Sequence, residues 1–256
     1  MKEIIRSAQL VTIKTAAITI SNLGFAYAQN RSTLTEINLR ISSGGKVGLI
    51  GANGAGKTTL FLTICGVLSP TSGEIKLFDK LVQPGKFYSE IGLVFQNPED
   101  QLFCPTVRDD VAFGPENMGL SPREIDNRVD RALSLTGVSH LADRVPYQLS
   151  GGEKSMVAIA SVIAMEPQII LYDEPSANLD LQARRRLIQF LQASQETIMI
   201  SSHDLELILE VCDRVILLSG GQIVADGIPK NIMSDRLLME ANGLEVPHSL
   251  THHRHQ

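Results

Sequence analysis

Lys46-Val47-Gly48-Leu49-Ile50-Gly51-Ala52-Asn53-Gly54-Ala55-Gly56-Lys57-Thr58-Thr59 decides how this chain is read. A strand-type run ends at Ile50, a glycine-rich turn follows, and a helix-type run continues from Thr59 to Cys65. Gly51 to Thr58 satisfies G-x-x-x-x-G-K-[ST] with a strand before it and a helix after it, the context that gives the pattern physical content. The glycines let backbone N–H groups turn inward around an anion, and the helix N-terminus adds positive potential. Lys57 can then reach the β and γ phosphates of a nucleoside triphosphate, and Thr58 can coordinate Mg²⁺. The alternative is a glycine-rich strand-to-helix turn that binds nothing.

Further strand-type runs surround this stretch. Ile91 to Phe95, Gln168 to Tyr172, Ile198 to Ile200 and Val215 to Leu218 are apolar without clean alternation, as parallel strands covered on both faces should be. Ala17 to Ser21 and Ile37 to Ile41 alternate better and predict an antiparallel subsheet at the edge. Strands alternating with helix-type runs predict an α/β fold with a mainly parallel sheet. Between Phe95 and Ser150 the strand signal stops. There Ser121-Pro122-Arg123-Glu124 reads as a capping box, Ile125, Val129, Ala132 and Leu133 share a face, and Gly137 marks a stop. This is a helical insertion. The expected organisation is a single domain over 1–256, with the core at about 11–96 and 166–240, a helical subdomain at about 97–165 and a flexible tail at about 248–256.

Composition narrows the function classes. The chain has 256 residues, 43% of them hydrophobic and 20% charged, which supports a buried core and excludes disorder or collagen-like repeats. A net charge of −5 gives no general attraction to nucleic acid or anionic lipid, so no nucleic-acid partner is expected. Cys65, Cys104 and Cys212 have no metal-ligand spacing and read as buried thiols in a reducing cytoplasm. The start, Met1 to Arg6, lacks the apolar stretch of a signal peptide, and the apolar run Val157 to Met165 is far short of the ~20 residues a membrane helix needs.

Two more stretches carry chemistry. Asp173 and Glu174 end an apolar strand, where ligands of open α/β sheets gather. Asp173 suits a metal and Glu174 a general base for water, against the alternative of a solvated acidic turn. Ser150-Gly151-Gly152-Glu153 opens an apolar helix-type run and can be a plain capping box. Two glycines in a first turn, however, cost up to ~1 kcal/mol each relative to alanine. Close backbone approach to an anion would justify both, and because the chain holds one lysine loop, the anion would belong to another subunit's nucleotide.

At this point the residues resemble an ATP-binding cassette (ABC) ATPase from about Ile18 to Leu250. Gly51 to Thr58 matches Walker A, Leu149 to Glu153 the signature motif and Ile169 to Glu174 Walker B, in the family's order. The resemblance implies a P-loop NTPase (RecA-like) core, ATP and Mg²⁺. It implies nucleotide contacts from Tyr27, stacked on adenine, from Gly51, Ala52, Asn53, Gly54, Ala55, Gly56, Lys57, Thr58 and Thr59, and from Ser150, Gly151, Gly152, Glu153 and Asp180. Metal binding would fall to Thr58, Gln96 and Asp173. Catalysis would fall to Glu174, to the switch histidine His203 and to the Q-loop glutamine Gln96, with Asp180 as the D-loop aspartate.

Phe95 to Phe103 and Val111 to Asn117 look like the energy-coupling factor (ECF) group, whose groove after the Q-loop receives a helix of a membrane subunit. Asn242-Gly243-Leu244-Glu245-Val246-Pro247 resembles the cobalt/nickel branch. Ser155, Met156, Leu181 and Tyr172 depart from the group's usual residues and put local packing in question. The resemblance implies an ATPase at the cytoplasmic face of the cell membrane, peripheral to it, paired with a second copy or a related ATPase and docked to membrane subunits near Gln96 to Phe103. Alternatives are an ECF importer of another micronutrient or vitamin, a soluble cassette ATPase acting on ribosomes or nucleic acid, and a P-loop kinase. His248, His252, His253 and His255 read as a solvated tail, and Arg184 to Arg186 as a wet helix face.

Overall fold

A computed structural model of the chain describes residues 15–28, 31–177 and 179–251. Residues 11–14 of the expected core, Asn178, and His252, His253 and His255 lie outside the described residues. The first half contains β1 (Ala16–Tyr27), β2 (Arg31–Ser42), β3 (Lys46–Ile50), α1 (Lys57–Ile64), β4 (Ser72–Leu77), β5 (Lys80–Leu81), β6 (Ile91–Val94), α2 (Val107–Asn117) and α3 (Pro122–Leu135). The second half contains α4 (Gly151–Ile163), β7 (Ile169–Asp173), α5 (Leu181–Ala193), β8 (Thr197–Ser201), α6 (Leu205–Val211), β9 (Arg214–Ser219), β10 (Gln222–Gly227), α7 (Pro229–Met233) and α8 (Arg236–Ala241).

The strands form two sheets. One has the order β10-β9-β3-β8-β7-β6, with β9, β3, β8, β7 and β6 parallel and β10 an antiparallel edge. Alternate residues of its central strands feed opposite cores. Leu49, Ile169, Leu171, Met199 and Ile216 meet α1 and the second sheet, while Ile170, Tyr172, Ile198, Ile200 and Val215 meet the helices of the other face. Both faces are covered, so all five residues of β7 and of β8 are buried and the sequence shows no alternation. Each fully buried aliphatic side chain contributes ~1.5–3 kcal/mol relative to exposure.

The second sheet contains the expected antiparallel pair. β1 and β2 pair antiparallel within a separate sheet of order β2-β1-β4-β5. β1 also runs past Ser21 to Tyr27 through register shifts around Leu23, with Asn22 at φ +48°, and these shifts break the alternation a reader looks for. No strand lies between β6 and β7. Here α2, α3 and α4 pack on one another, and Ser121 Oγ accepts the Glu124 amide at 3.3 Å. The Glu124 carboxylate bonds Arg128 Nε at 2.8 Å.

Two smaller expectations also change. Cys212 is buried, whereas Cys65 and Cys104 are only partly so. The tail does not begin at 248. Residues His248–Leu250 form a 3₁₀ turn, and Ser249 binds Glu206 through its amide at 3.0 Å and its hydroxyl at 2.6 Å.

Candidate functional site

The parallel strand order brings the carboxyl ends of β3, β6, β7 and β8 to one edge, and the loops that follow them build one cleft of about 400 Å³. The loop after β3 can take its path only with glycine. At Gly51, φ is +156° and a Cβ would sit 2.2 Å from the Leu218 carbonyl oxygen; at Gly56, φ is +105° and a Cβ would sit 3.0 Å from the Thr33 carbonyl oxygen. α1 then starts with no side-chain cap and no acidic residue in its first turn. By contrast, Thr106, Ser121, Ser150, Asp180 and Asp204 cap α2 to α6. The first amides of α1 therefore remain available to an external anion.

Lys57 is buried at 7% exposure, its Nζ 2.9 Å from the Gly51 carbonyl, 3.3 Å from His203 Nε2 and 3.7 Å from Glu174 Oε1. Thr58 Oγ1 donates to Asp173 Oδ2 at 2.6 Å, and Ser201 Oγ donates to Asp173 Oδ1. Glu174 stands at φ +49°, its amide bonded to both Ser201 oxygens at 3.1 Å. Its Oε2 accepts the His203 amide at 2.9 Å. Glu174 Oε1, buried and facing Lys57 at 3.7 Å and the His203 ring at 3.4 Å, has no hydrogen-bond partner among the described residues. A buried carboxylate oxygen with spare acceptor capacity beside an uncapped helix start fits a site for a triphosphate and its attacking water. Thr58 and Asp173, a hydroxyl and a carboxylate in direct contact, are the oxygen set a Mg²⁺ ion takes.

Tyr27, Asn53, Gly54, Ala55, Gly56, Lys57, Thr58, Thr59, Gln96, Asp173, Glu174 and His203 all line this cleft. Tyr27 is 50% exposed, its hydroxyl 3.3 Å from Thr59 Oγ1 and its ring in a T-shaped pair with Phe25 at 4.9 Å, which leaves aromatic surface for a ligand. Gly51 and Ala52 form the start of the loop behind it. Thr33 also lines the cleft and carried no sequence signal. Ser201, which holds Asp173, carries a signal of the same kind: it ends the apolar strand β8 as Asp173 ends β7.

Ser150, Gly151, Gly152, Glu153 and Asp180 do not line the cleft. Ser150 and Gly151 are exposed at the tip of α4. Here the capping box closes: Glu153 Oε2 accepts from the Ser150 amide at 2.8 Å and hydroxyl at 2.7 Å, and these bonds hold the Glu153 carboxyl below the usual carboxylate range. Gly152 has a packing reason of its own. A Cβ there would come within 2.9 Å of the Ala183 Cβ, so Gly152 lets α4 pack against α5. Asp180 caps α5 through the Ala183 amide at 2.7 Å. Arg184 is not on a wet face either: it makes a bidentate ion pair with Asp204. Of the departures, Met156 is buried and Ser155 Oγ bonds the Gly151 carbonyl at 3.0 Å, while Leu181 is exposed.

Beside Gln96 lies a second concavity of about 420 Å³, with Phe95, Phe103 and Phe113 on its wall. Phe103 and Phe113 meet edge-to-face at 4.9 Å and are 66% and 45% exposed. Asp110 Oδ1 accepts the Phe103 and Cys104 amides at 2.9 Å and holds the loop that presents them. Among the described residues no helix is long and apolar enough to cross a membrane, and no cluster of three or more metal-ligating side chains occurs.

Fold and cleft together define a P-loop nucleoside-triphosphate hydrolase with an inserted helical subdomain. Comparison with known proteins then gives the family: residues 34–177 match the family described as ABC transporter. A Synechocystis sp. protein, an ABC transporter ATP-binding protein by name, is 54% identical over 234 residues, covering 91% of this chain and 82% of that one. The energy-coupling factor transporter ATP-binding protein EcfA of Methanothermobacter thermautotrophicus is 42% identical, covering 90% and 76%. The structure of cbiO1 from Clostridium perfringens, part of the ABC transporter complex cbiONQ, is 34% identical with a TM-score of 0.77, covering 93% and 98%. The chain belongs to the ABC transporter ATP-binding proteins: it is an ATPase of the transporter class and takes ATP with Mg²⁺.

Proposed function

We propose that this chain powers an energy-coupling factor importer for cobalt or nickel ions, as a peripheral subunit at the cytoplasmic membrane face that pairs with a second copy or a related ATPase. The observation that carries the reading is the half-complete site. Lys57, Asp173, Glu174 and His203 converge on the cleft, while the exposed Ser150-Gly151 tip stands outside it. A partner's tip would close over the γ-phosphate. The aromatic wall beside Gln96 offers a membrane subunit an apolar seat from Gln96 to Phe103. The likeness to EcfA and to a component of cbiONQ supports the importer type, and Asn242 to Pro247 supports the cobalt/nickel branch.

In this reading Tyr27 stacks on adenine, and the amides from Gly51 to Thr59 with Lys57 hold the β and γ phosphates. Thr58, Asp173 and Gln96 would hold Mg²⁺, which when bound neutralises charge on the β and γ oxygens. Glu174 takes the proton of the attacking water as the bond from the γ phosphorus to the ADP oxygen breaks, and His203 steadies the γ oxygens. Ser150, Gly151, Gly152, Glu153 and Asp180 then act at the dimer seam: Ser150 and Gly151 by contact, Gly152 and Glu153 by shaping the tip, and Asp180 by fixing the start of α5.

The test has two arms. Glu174→Gln should lower ATP hydrolysis by ~10²-fold or more while ATP still binds; hydrolysis at the wild-type rate would refute the general base. Cells lacking the subunit should take up less cobalt or nickel than cells in which it is restored. A fall in vitamin uptake with metal uptake intact would move the substrate to another micronutrient.

A further inference from the structure

Asn242 to Pro247 follows α8 and runs to the turn at His248–Leu250 without lining the cleft. α8 ends at Ala241, and Gly243, at φ +70°, turns the chain. Gly243 passes beside the phosphate loop, where a Cβ built on it would lie 3.7 Å from the Ala52 Cβ. Leu244, Val246 and Leu250 pack on the helical-face core, and Pro247 is buried. The turn at His248–Leu250 then sets two Ser249 donors on the two oxygens of Glu206, at 3.0 and 2.6 Å.

Glu206 lies in the first turn of α6, which begins two residues after His203. From the other side Arg184 grips Asp204, the N-cap of α6, which accepts the Leu207 amide at 3.0 Å. α6 has seven residues, too few to fix its own position, so its tertiary anchors must. His203 is 44% exposed in its side chain and immediately precedes the N-cap of that short helix. Burial pushes the Glu206 carboxyl up, but the Ser249 bonds outweigh it and hold it below the usual carboxylate range.

We propose that segment 242–250 is a strap from the phosphate loop to the helix behind the switch histidine, with Ser249 and Glu206 as a positioning pair that holds His203 at the γ-phosphate. The strap rests on the reading of His203 given above. Because a misplacement of ~1 Å in a catalytic group can cost as much as ~10²-fold in rate, a modest loosening is measurable.

The experiment uses the full-length chain and steady-state ATP hydrolysis. Ser249→Ala and Glu206→Ala should each lower kcat about tenfold with KM for ATP unchanged and Tm moved by no more than about 4 °C. Ser249→Thr, which keeps the hydroxyl, should stay near the wild-type kcat. His203→Ala separates the two readings. If it leaves kcat unchanged, the role of His203 falls and the strap with it. If it abolishes turnover while Ser249→Ala and Glu206→Ala match wild type, the strap alone is refuted. If kcat, KM and Tm all deteriorate together and Ser249→Thr fares no better than Ser249→Ala, the segment is a structural brace and the proposal fails.

Discussion

Tyr172 carries a hydroxyl into a place that offers it no partner. Its side chain is fully buried on β7, Oη makes no hydrogen bond within the described residues, and burial, with Glu196 nearby, pushes the phenol above its ordinary value. An unpaired buried hydroxyl costs ~1–3 kcal/mol. Tyr172→Phe is therefore expected to stabilise the protein by about 1 kcal/mol in urea titration, with ATP hydrolysis unchanged; a destabilised variant would mean that the hydroxyl is satisfied after all. Asp204 gives the opposite case. Burial pushes its carboxyl up, but the Arg184 hydrogen bonds and the amides of α6 outweigh this and hold it below the usual value. With the folded value below the unfolded one, the pair stabilises the protein above the unfolded value of ~3.9. That contribution is lost as pH falls through the folded value. Asp204→Asn should thus lower stability by about 1–2 kcal/mol at pH 7, and the Tm difference from wild type should shrink on acidification; a constant difference would contradict the ion-pair account.

Among the elements, α4 shows how one sequence string can serve two masters. Ser150 and Glu153 cap it, Gly151 lies exposed at its tip, and Gly152 lets it approach α5 with only 2.9 Å left for a Cβ beside Ala183. Helix propensity favours Gly152→Ala by ~1 kcal/mol, but the clash with a rigid neighbour costs ~1–3 kcal/mol. The net effect should be a small loss that Ala183→Gly relieves in the double variant. Denaturant midpoints of the four proteins check this, and strictly additive effects would refute the contact. Strands divide in the same manner. β7 and β8 are legible because burial on both faces leaves an unbroken apolar run, whereas β1 past Ser21 is not, because its register shifts interrupt the period. β10 lies at an edge with its residues at best half-buried, so it carries little pattern to read.

At the scale of the whole molecule, the proposed function places each ATP site between two chains. With ATP and Mg²⁺, Glu174→Gln should trap a particle of twice the 27.9 kDa chain mass in sedimentation, whereas Lys57→Ala under the same conditions should not; a trapped variant that stays monomeric would refute the shared site. The sequence by itself determined the phosphate loop, the acidic pair at the end of β7 and the α/β class, because each is written within a few consecutive residues whose conformation and chemistry are local. Tertiary structure alone decided that Thr58 meets Asp173 across 115 positions, Arg184 meets Asp204 across 20 and Glu206 meets Ser249 across 43. Those contacts come from how the sheet and helices pack, and packing depends on the sum of many distant apolar surfaces, of which no short string of residues holds a record.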